Sequence, residues 1–459
     1  MKREISLLQA TSINMIDMVG IGPFVMLSVV IKSVGSNLFI WAWVFGAFTA
    51  LVDGMIWSEL GAAYPLAGGS YNFLKEAYGK KGGRLMSFLF VWQTCLLSSL
   101  VVASGAIGFA QYFNYLIPLT FWEEKGVSAL LVMLITVLLY RNTREIGRIS
   151  VFLWAGVIIT MLWIIISGLT HRRVAYSPLP VGGESMFSGT FALLVGQASV
   201  KTVYSYLGYY NVCHLGGEIR NPGKNIPRSI FISIICITLL YLAMNWSVVS
   251  VIPWRQAMQS KFVISLFMEK LYGTRAAQIA TLLVLWIAFA SLFAVVLGYS
   301  RVPYAAAADG NFFPFFAKLH PRKDFPYISL LFVAGLGLVF SLLLRLENAI
   351  SAILAMRILV QFVAQSIGVV MLRKSDRRRR QSGADGPTEG TAGLPFKMWL
   401  YPLPVILSVS IWLFIWYSTG LAALLGLFLT AFGVGVFYVA RNGWKQPTAA
   451  PGLENEVVG

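Results

Sequence analysis

Charge is scarce in this chain. Only 12% of its 459 residues are Asp, Glu, Lys or Arg, whereas 57% are hydrophobic. Soluble domains carry about a quarter charged residues, so an ordinary water-soluble fold is excluded. Histidine and cysteine are rarer still, at three each. His171, His214 and His320 are scattered without ligand spacing, which argues against a metal site, and His214, six residues past Gly208, reads as a helix-packing residue with a proton role as the alternative. Cys95, Cys213 and Cys236 all lie in apolar runs and read as small packing side chains rather than disulfide partners. No Gly-x4-Gly-Lys-Ser/Thr stretch occurs, which removes an ATP-driven pump. No nucleophile–base pair has supporting context, so the chain reads as a non-enzyme with no cofactor.

Long apolar runs, by contrast, fill the sequence. A membrane span needs about 20 apolar residues at a rise of about 1.5 Å each. Such runs cover residues 8–31, 38–63, 85–113, 126–140, 149–169, 188–216, 228–252, 277–300, 327–344, 349–372, 399–418 and 420–440. The expected fold is therefore an all-α membrane protein of about 12 transmembrane helices. A barrel is excluded, since its strands would read as short alternating segments. Lys2 and Arg3 begin like a signal peptide, but the apolar stretch behind them is too long and no A-x-A site follows. The first span is expected to be retained.

The net charge of +17 raises the question of nucleic acid, and its distribution answers it. With the N-terminus placed inside, 25 of the 36 Lys and Arg residues fall on the cytoplasmic side and 9 outside, with Lys201 and Arg357 inside spans. This bias places a multi-pass protein in the cytoplasmic (cell) membrane with both termini cytoplasmic. The partner implied is the lipid bilayer, not nucleic acid. "RKSDRRRR" heads residues 373–398, which read as a disordered basic cytoplasmic loop. That loop acts as a topology signal, with anionic lipid headgroups as the functional alternative. Residues 441–459 form a cytoplasmic tail.

Helix breakers stand in the middle of two spans. Gly20, Gly22 and Pro23 interrupt the first, and Gly208 interrupts the sixth within "VYSYLGYYNV". Unpaired backbone groups in hydrocarbon cost several kcal/mol each, so a mid-span break is either patched or used. Breaks at matching places in two five-helix halves mark an inverted-repeat transporter. The halves are residues 8–169 and 188–372, with helices 11 and 12 at 399–440. Each break exposes N–H groups at a positive helix end and C=O groups at a negative one, a pair suited to a zwitterion.

Four stretches then resemble the amino acid–polyamine–organocation superfamily, with its LeuT-like fold. They are "GIGPF" (20–24), "ELGAAYPLAGGSYNFLKEAYG" (59–79), "YLGYYNVCHLGGEIRNPGKNIPRSI" (206–230) and "YSRVPYAAAADGNFFPFFAKLHPRKDFPYISLL" (299–331). The resemblance implies five-plus-five inverted repeats with discontinuous helices 1 and 6, two C-terminal helices, and transport of amino acids or related amines by alternating access. By position it implies that the amides of Ile21 and Gly22 hold the substrate carboxylate. Carbonyls near Met18, Val19, Tyr206 and Leu207 would hold the ammonium group, and Tyr204 would be an outer aromatic gate. Two departures stand out. Pro23 offers no N–H. Trp154 occupies the place of a lysine that stands in for sodium in many prokaryotic relatives, which leaves protons, sodium, exchange or no ion open.

Several buried polar residues carry two readings each. Asp17, just before the first break, is a candidate for coupling or for a cationic substrate group, or else a gate contact. Lys201 either couples a proton or snorkels to the interface. Glu218 with Arg220 forms a gate ion pair or a solvated helix end. Asp53 is expected to pair with a cation inside the membrane, Arg357 with Asp53 or Asp17, and Glu59 to be structural. Gln93, Trp286, Ser291, Gln361 and Gln365 line the pocket or pack between helices. Tyr204, Tyr206, Tyr209, Tyr210 and Phe24 cluster near the breaks, which leans toward neutral or apolar amino acids as substrates. A polyamine or organic amine permease, with Asp17 taking the second amine, is the alternative within the class. A non-transporting membrane sensor on the same scaffold is the alternative outside it.

Overall fold

The structure, a computed structural model, describes residues 3–141, 143–179, 189–344, 353, 356–381 and 395–440. It is helical throughout, and its only extended pairings are two isolated bridges among the described residues. The first half holds α1 (Leu7–Met18), α2 (Gly22–Val34), α3 (Ile40–Ala63), α4 (Ser70–Ala77), α5 (Gly79–Phe113), α6 (Phe121–Leu139) and α7 (Thr143–Thr170). The second half holds α8 (Gly189–Tyr206), α9 (Asn211–His214), α10 (Pro222–Val249), α11 (Trp254–Ala257), α12 (Val263–Tyr272), α13 (Thr274–Tyr299), α14 (Arg301–Ala308) and α15 (Tyr327–Leu343). After these come α16 (Ala364–Gln381), α17 (Leu403–Ser418) and α18 (Ala422–Ala440).

A helix or helix pair falls on each of the twelve predicted spans. Among the described residues, six helices are long and apolar enough to cross a membrane, or up to eight if each bent pair counts as one. The shortfall has local causes. α6 carries Glu123, Glu124 and Lys125 in its first turns, α15 is only 17 residues long, and breaks shorten the first and sixth spans. Residues 349–352, 354 and 355 lie outside the described residues.

The first span starts with a capping box. Ser6 Oγ accepts from the Gln9 amide, and Gln9 Oε1 accepts from the Ser6 amide at 2.8 Å. α1 ends at Met18, α2 begins at Gly22, and the two axes differ by 43°. Pro23 lies in the first turn of α2, where its missing N–H costs nothing, so it starts a helix rather than kinking one. The sixth span stops at Tyr206, turns through 207–210, and resumes as α9.

Residues 373–381 correct an expectation. They belong to α16 rather than to a disordered loop. Arg373 donates to both oxygens of Glu59, at 2.6 and 2.5 Å, and lies 4.1 Å from the Tyr401 ring centroid, which extends the helix against the bundle. The rest of the expected loop up to residue 394, and the tail 441–459, lie outside the described residues.

The face carrying the N-terminus is laced shut. Glu218 and Ile219 follow α9, and the Glu4 and Ile5 amides both donate to the Glu218 carbonyl at 2.9 Å. Ile5 bridges Ile219, and Ala67 bridges Leu215. Lys75 and Tyr71 both reach Asp309 at 2.5 Å, tying α4 to the end of α14.

Candidate functional site

A cavity of about 80 Å³ lies where the two broken spans meet. Its wall includes Asp17, Met18, Gly20, Ile21, Gly22 and Pro23 from the first break, and Tyr204, Leu207, Gly208 and Tyr210 from the sixth.

The contact between the breaks is main chain against main chain. Gly208 has φ of +121°, and a Cβ there would sit 2.8 Å from both the Asp17 carbonyl carbon and the Met18 nitrogen. Only glycine satisfies both the backbone angle and the approach. Gly20 packs similarly, with its missing Cβ 2.8 Å from Ser291 Oγ. Asn14 Oδ1 accepts from the Val212 amide at 2.9 Å, so a side chain of the first span caps the resumed sixth.

The open end of α2 supplies donors. The first intrahelical bond runs from the Val25 amide to the Ile21 carbonyl at 3.2 Å. The amides of Ile21, Gly22 and Phe24 precede that ladder and have no partner within the helix, and Pro23 has none to give. On the α1 side the acceptors are partly used. The Met18 carbonyl accepts from the Gly20 amide at 3.1 Å and from Tyr241 Oη at 2.8 Å, and the Asp17 carbonyl from Ser291 Oγ at 3.4 Å.

Other predicted residues fall elsewhere. Ser291 lines the cavity, but Gln93 donates to Thr430 at 2.7 Å between α5 and α18, and the Trp286 indole donates to the Leu153 carbonyl at 3.1 Å. Val19 is fully buried off the cavity wall. The Tyr206 ring turns away, edge-on to Trp43 and Tyr241. Tyr209 points at Asp53 and Phe24 is buried off the wall, so of the aromatic cluster only Tyr204 and Tyr210 line the cavity, beside Val101, Leu292, Val295 and Ile353. Lys201 donates to Ser33 Oγ at 2.6 Å, outside the cavity. Glu218 pairs with Arg301 at 2.8 Å, both side chains being almost wholly buried, while Arg220 is exposed. Asp53 accepts from Tyr209, Ser408 and Trp412 rather than from a cation.

The residue whose role sequence missed is Arg357. It lines the cavity, 3% exposed, and donates through Nη1 to the Tyr210 hydroxyl and through Nη2 to the Tyr299 hydroxyl. Among the described residues no carboxylate forms an ion pair with it, Asp53 and Asp17 included. A π-helical turn, Ile358–Val363, follows it directly, a distortion often found at functional sites. A lone arginine well inside an apolar span was the available signal, but its neighbours in space could not be read.

A helical bundle in which two broken spans close around a small cavity is the architecture of a membrane solute carrier. Comparison with known proteins narrows this. The amino acid permease family profile matches residues 5–447. The serine/threonine exchanger SteT of Bacillus subtilis is 26% identical, over 95% of this chain and 97% of its own length. The branched-chain amino acid permease BcaP of the same organism is 23% identical over 82% of each chain. The human large neutral amino acids transporter small subunit 2 is 28% identical over 72% of this chain and 63% of its own. The chain belongs to the amino acid permease family, within the amino acid–polyamine–organocation superfamily.

Proposed function

We propose that this chain carries amino acids across the cytoplasmic membrane as a secondary transporter working by alternating access, with both termini cytoplasmic. The observation that carries this is the joint construction of the cavity by both broken spans, with the open end of α2 facing it. The Ile21 and Gly22 amides receive the α-carboxylate, helped by the positive end of the helix dipole. The ammonium group lies toward the end of α1, where Asp17 and the last carbonyls gather. Residues 8–169 and 188–372 act as inverted repeats that rock about this site. The names of the relatives support an amino acid cargo.

The test is uptake of a panel of labelled amino acids and polyamines into proteoliposomes, with and without imposed proton and sodium gradients. Gly22 bears on it directly. A Cβ there would lie 3.5 Å from Tyr204 Cε1, an ordinary contact, so alanine is accommodated while leucine fills the cavity. Gly22→Leu should abolish uptake, and undiminished uptake by that variant would refute the site.

Asp17 on the cavity wall supports an amine permease as the second reading. Uptake of putrescine-like diamines in preference to any amino acid would establish it. Binding without flux would establish a sensor.

A further inference from the structure

The cavity matches more charges than a neutral amino acid presents. A zwitterion uses the α2 amides for its carboxylate and Asp17 for its ammonium group. Asp17 is the penultimate residue of α1, at the negative end of that helix, where a carboxylate is unfavourable unless a cation joins it. That leaves Arg357. Its guanidinium has five N–H donors, and its two recorded bonds go to phenol hydroxyls; the Asp17 carboxylate on the same wall attracts it but is not within ion-pair distance. Its Nε is buried and has no acceptor. A buried cation inside a membrane protein needs an anion or a task.

The rest of the wall mixes polar groups with apolar ones such as Val101, Leu292, Val295 and Ile353. Ser104, Tyr204, Ser205, Ser291 and Tyr299 all contribute to the wall. Ser104, Ser205 and Ser291 already donate to the Val101, Lys201 and Asp17 carbonyls, so the group that an apolar side chain would leave without an acceptor is the Arg357 guanidinium, through its Nε.

Resting on the transport reading above, we infer that Arg357 receives the side-chain carboxylate of the substrate, and that the cargo is an acidic amino acid, aspartate or glutamate. Three charged groups on the substrate then meet three complements: the α2 amides, Asp17 and Arg357. A guanidinium prefers a carboxylate to an amide because it can form paired, charge-assisted hydrogen bonds. Arg357 is thus a specificity-determining residue, placed by the two tyrosines and by the π turn behind it.

The experiment is competitive uptake in proteoliposomes of the wild-type chain, Arg357→Lys and Arg357→Met. The probes are aspartate, glutamate, asparagine, glutamine, serine and leucine. Wild type should prefer each acid to its amide by about 10- to 100-fold, the worth of a charged hydrogen bond. Arg357→Met should remove that preference and leave the amides at least as well transported, with Arg357→Lys between the two. Preference for leucine or serine by wild type, with no competition from either acid, overturns the inference while leaving amino acid transport standing. Transport of no amino acid at all overturns both. The wild-type profile decides the matter even if Arg357→Met does not fold.

Discussion

Tyr209, in the turn that breaks the sixth span, donates its hydroxyl to the Asp53 carboxylate at 2.5 Å. Ser408 Oγ and the Trp412 indole donate to the other oxygen, each at 3.1 Å. A carboxylate 1% exposed is thus held by three neutral donors from α17 and the turn beside α9. Removing one donor leaves a buried charge less satisfied, at a cost of about 1–3 kcal/mol. Tyr209→Phe should therefore lower the thermal unfolding midpoint in detergent. Asp53→Leu should lower it further, because it orphans three donors at once. An unchanged midpoint in both variants would show that this network does not anchor the sixth span.

Gly208 should be the least replaceable residue of the site. Alanine there would meet the backbone of Asp17 and Met18 at 2.8 Å, and backbone cannot rotate away. Gly20→Ala meets only Ser291 Oγ at that distance, and a serine side chain can turn. We expect Gly208→Ala to abolish uptake and Gly20→Ala to reduce it partially, both compared at equal yield of monodisperse protein. Equal activity of Gly208→Ala and wild type would mean that the two breaks do not need to touch.

Much of this architecture was legible in the residues, for a physical reason. Helices in lipid must satisfy their own backbone, so apolar length and helix breakers are visible without any tertiary knowledge. Gly20–Pro23 and Gly208 announced their breaks in that way. Partner choice was not legible, because it depends on which helix faces which. Asp53 and Arg357 are both charged and both deep, yet each bonds to hydroxyl or indole groups from other spans instead of to the other. Glu218 has a basic neighbour two residues on, but its carboxylate reaches across to α14. The polar loop head at 373–381 read as disordered because the carboxylate that docks Arg373 lies more than 300 residues away, on α3.

The Glu218–Arg301 pair should behave as a unit. Arg301 Nε donates to Glu218 at 2.8 Å, and Arg301 also reaches the Leu297 carbonyl and Ser300 Oγ. Breaking a buried pair by removing one partner costs about 3–5 kcal/mol, whereas replacing both with apolar groups can be nearly neutral. Glu218→Leu and Arg301→Met singly should each cut the yield of folded protein sharply. The double variant should recover much of it, measured by fluorescence-detected size exclusion. Arg220→Ala, at an exposed position beside the pair, should leave yield and uptake unchanged.

Lys201 offers the cleanest test of what does not couple transport. Its Nζ donates to Ser33 Oγ at 2.6 Å, tying α8 to the last turn of α2, and it takes no part in the cavity wall. The long side chain is only half-buried, and its stem packs while its charged end reaches a hydroxyl. Lys201→Met keeps most of that stem and deletes the ammonium group. A substitution away from buried networks changes free energy by about 0.5 kcal/mol or less, so uptake should stay within about twofold of wild type. Dependence on imposed proton or sodium gradients should be equally unaffected. If gradient-driven accumulation disappears in Lys201→Met while exchange of substrate persists, the lysine carries the coupling charge after all, and the site extends outward along α2 and α8 beyond the cavity.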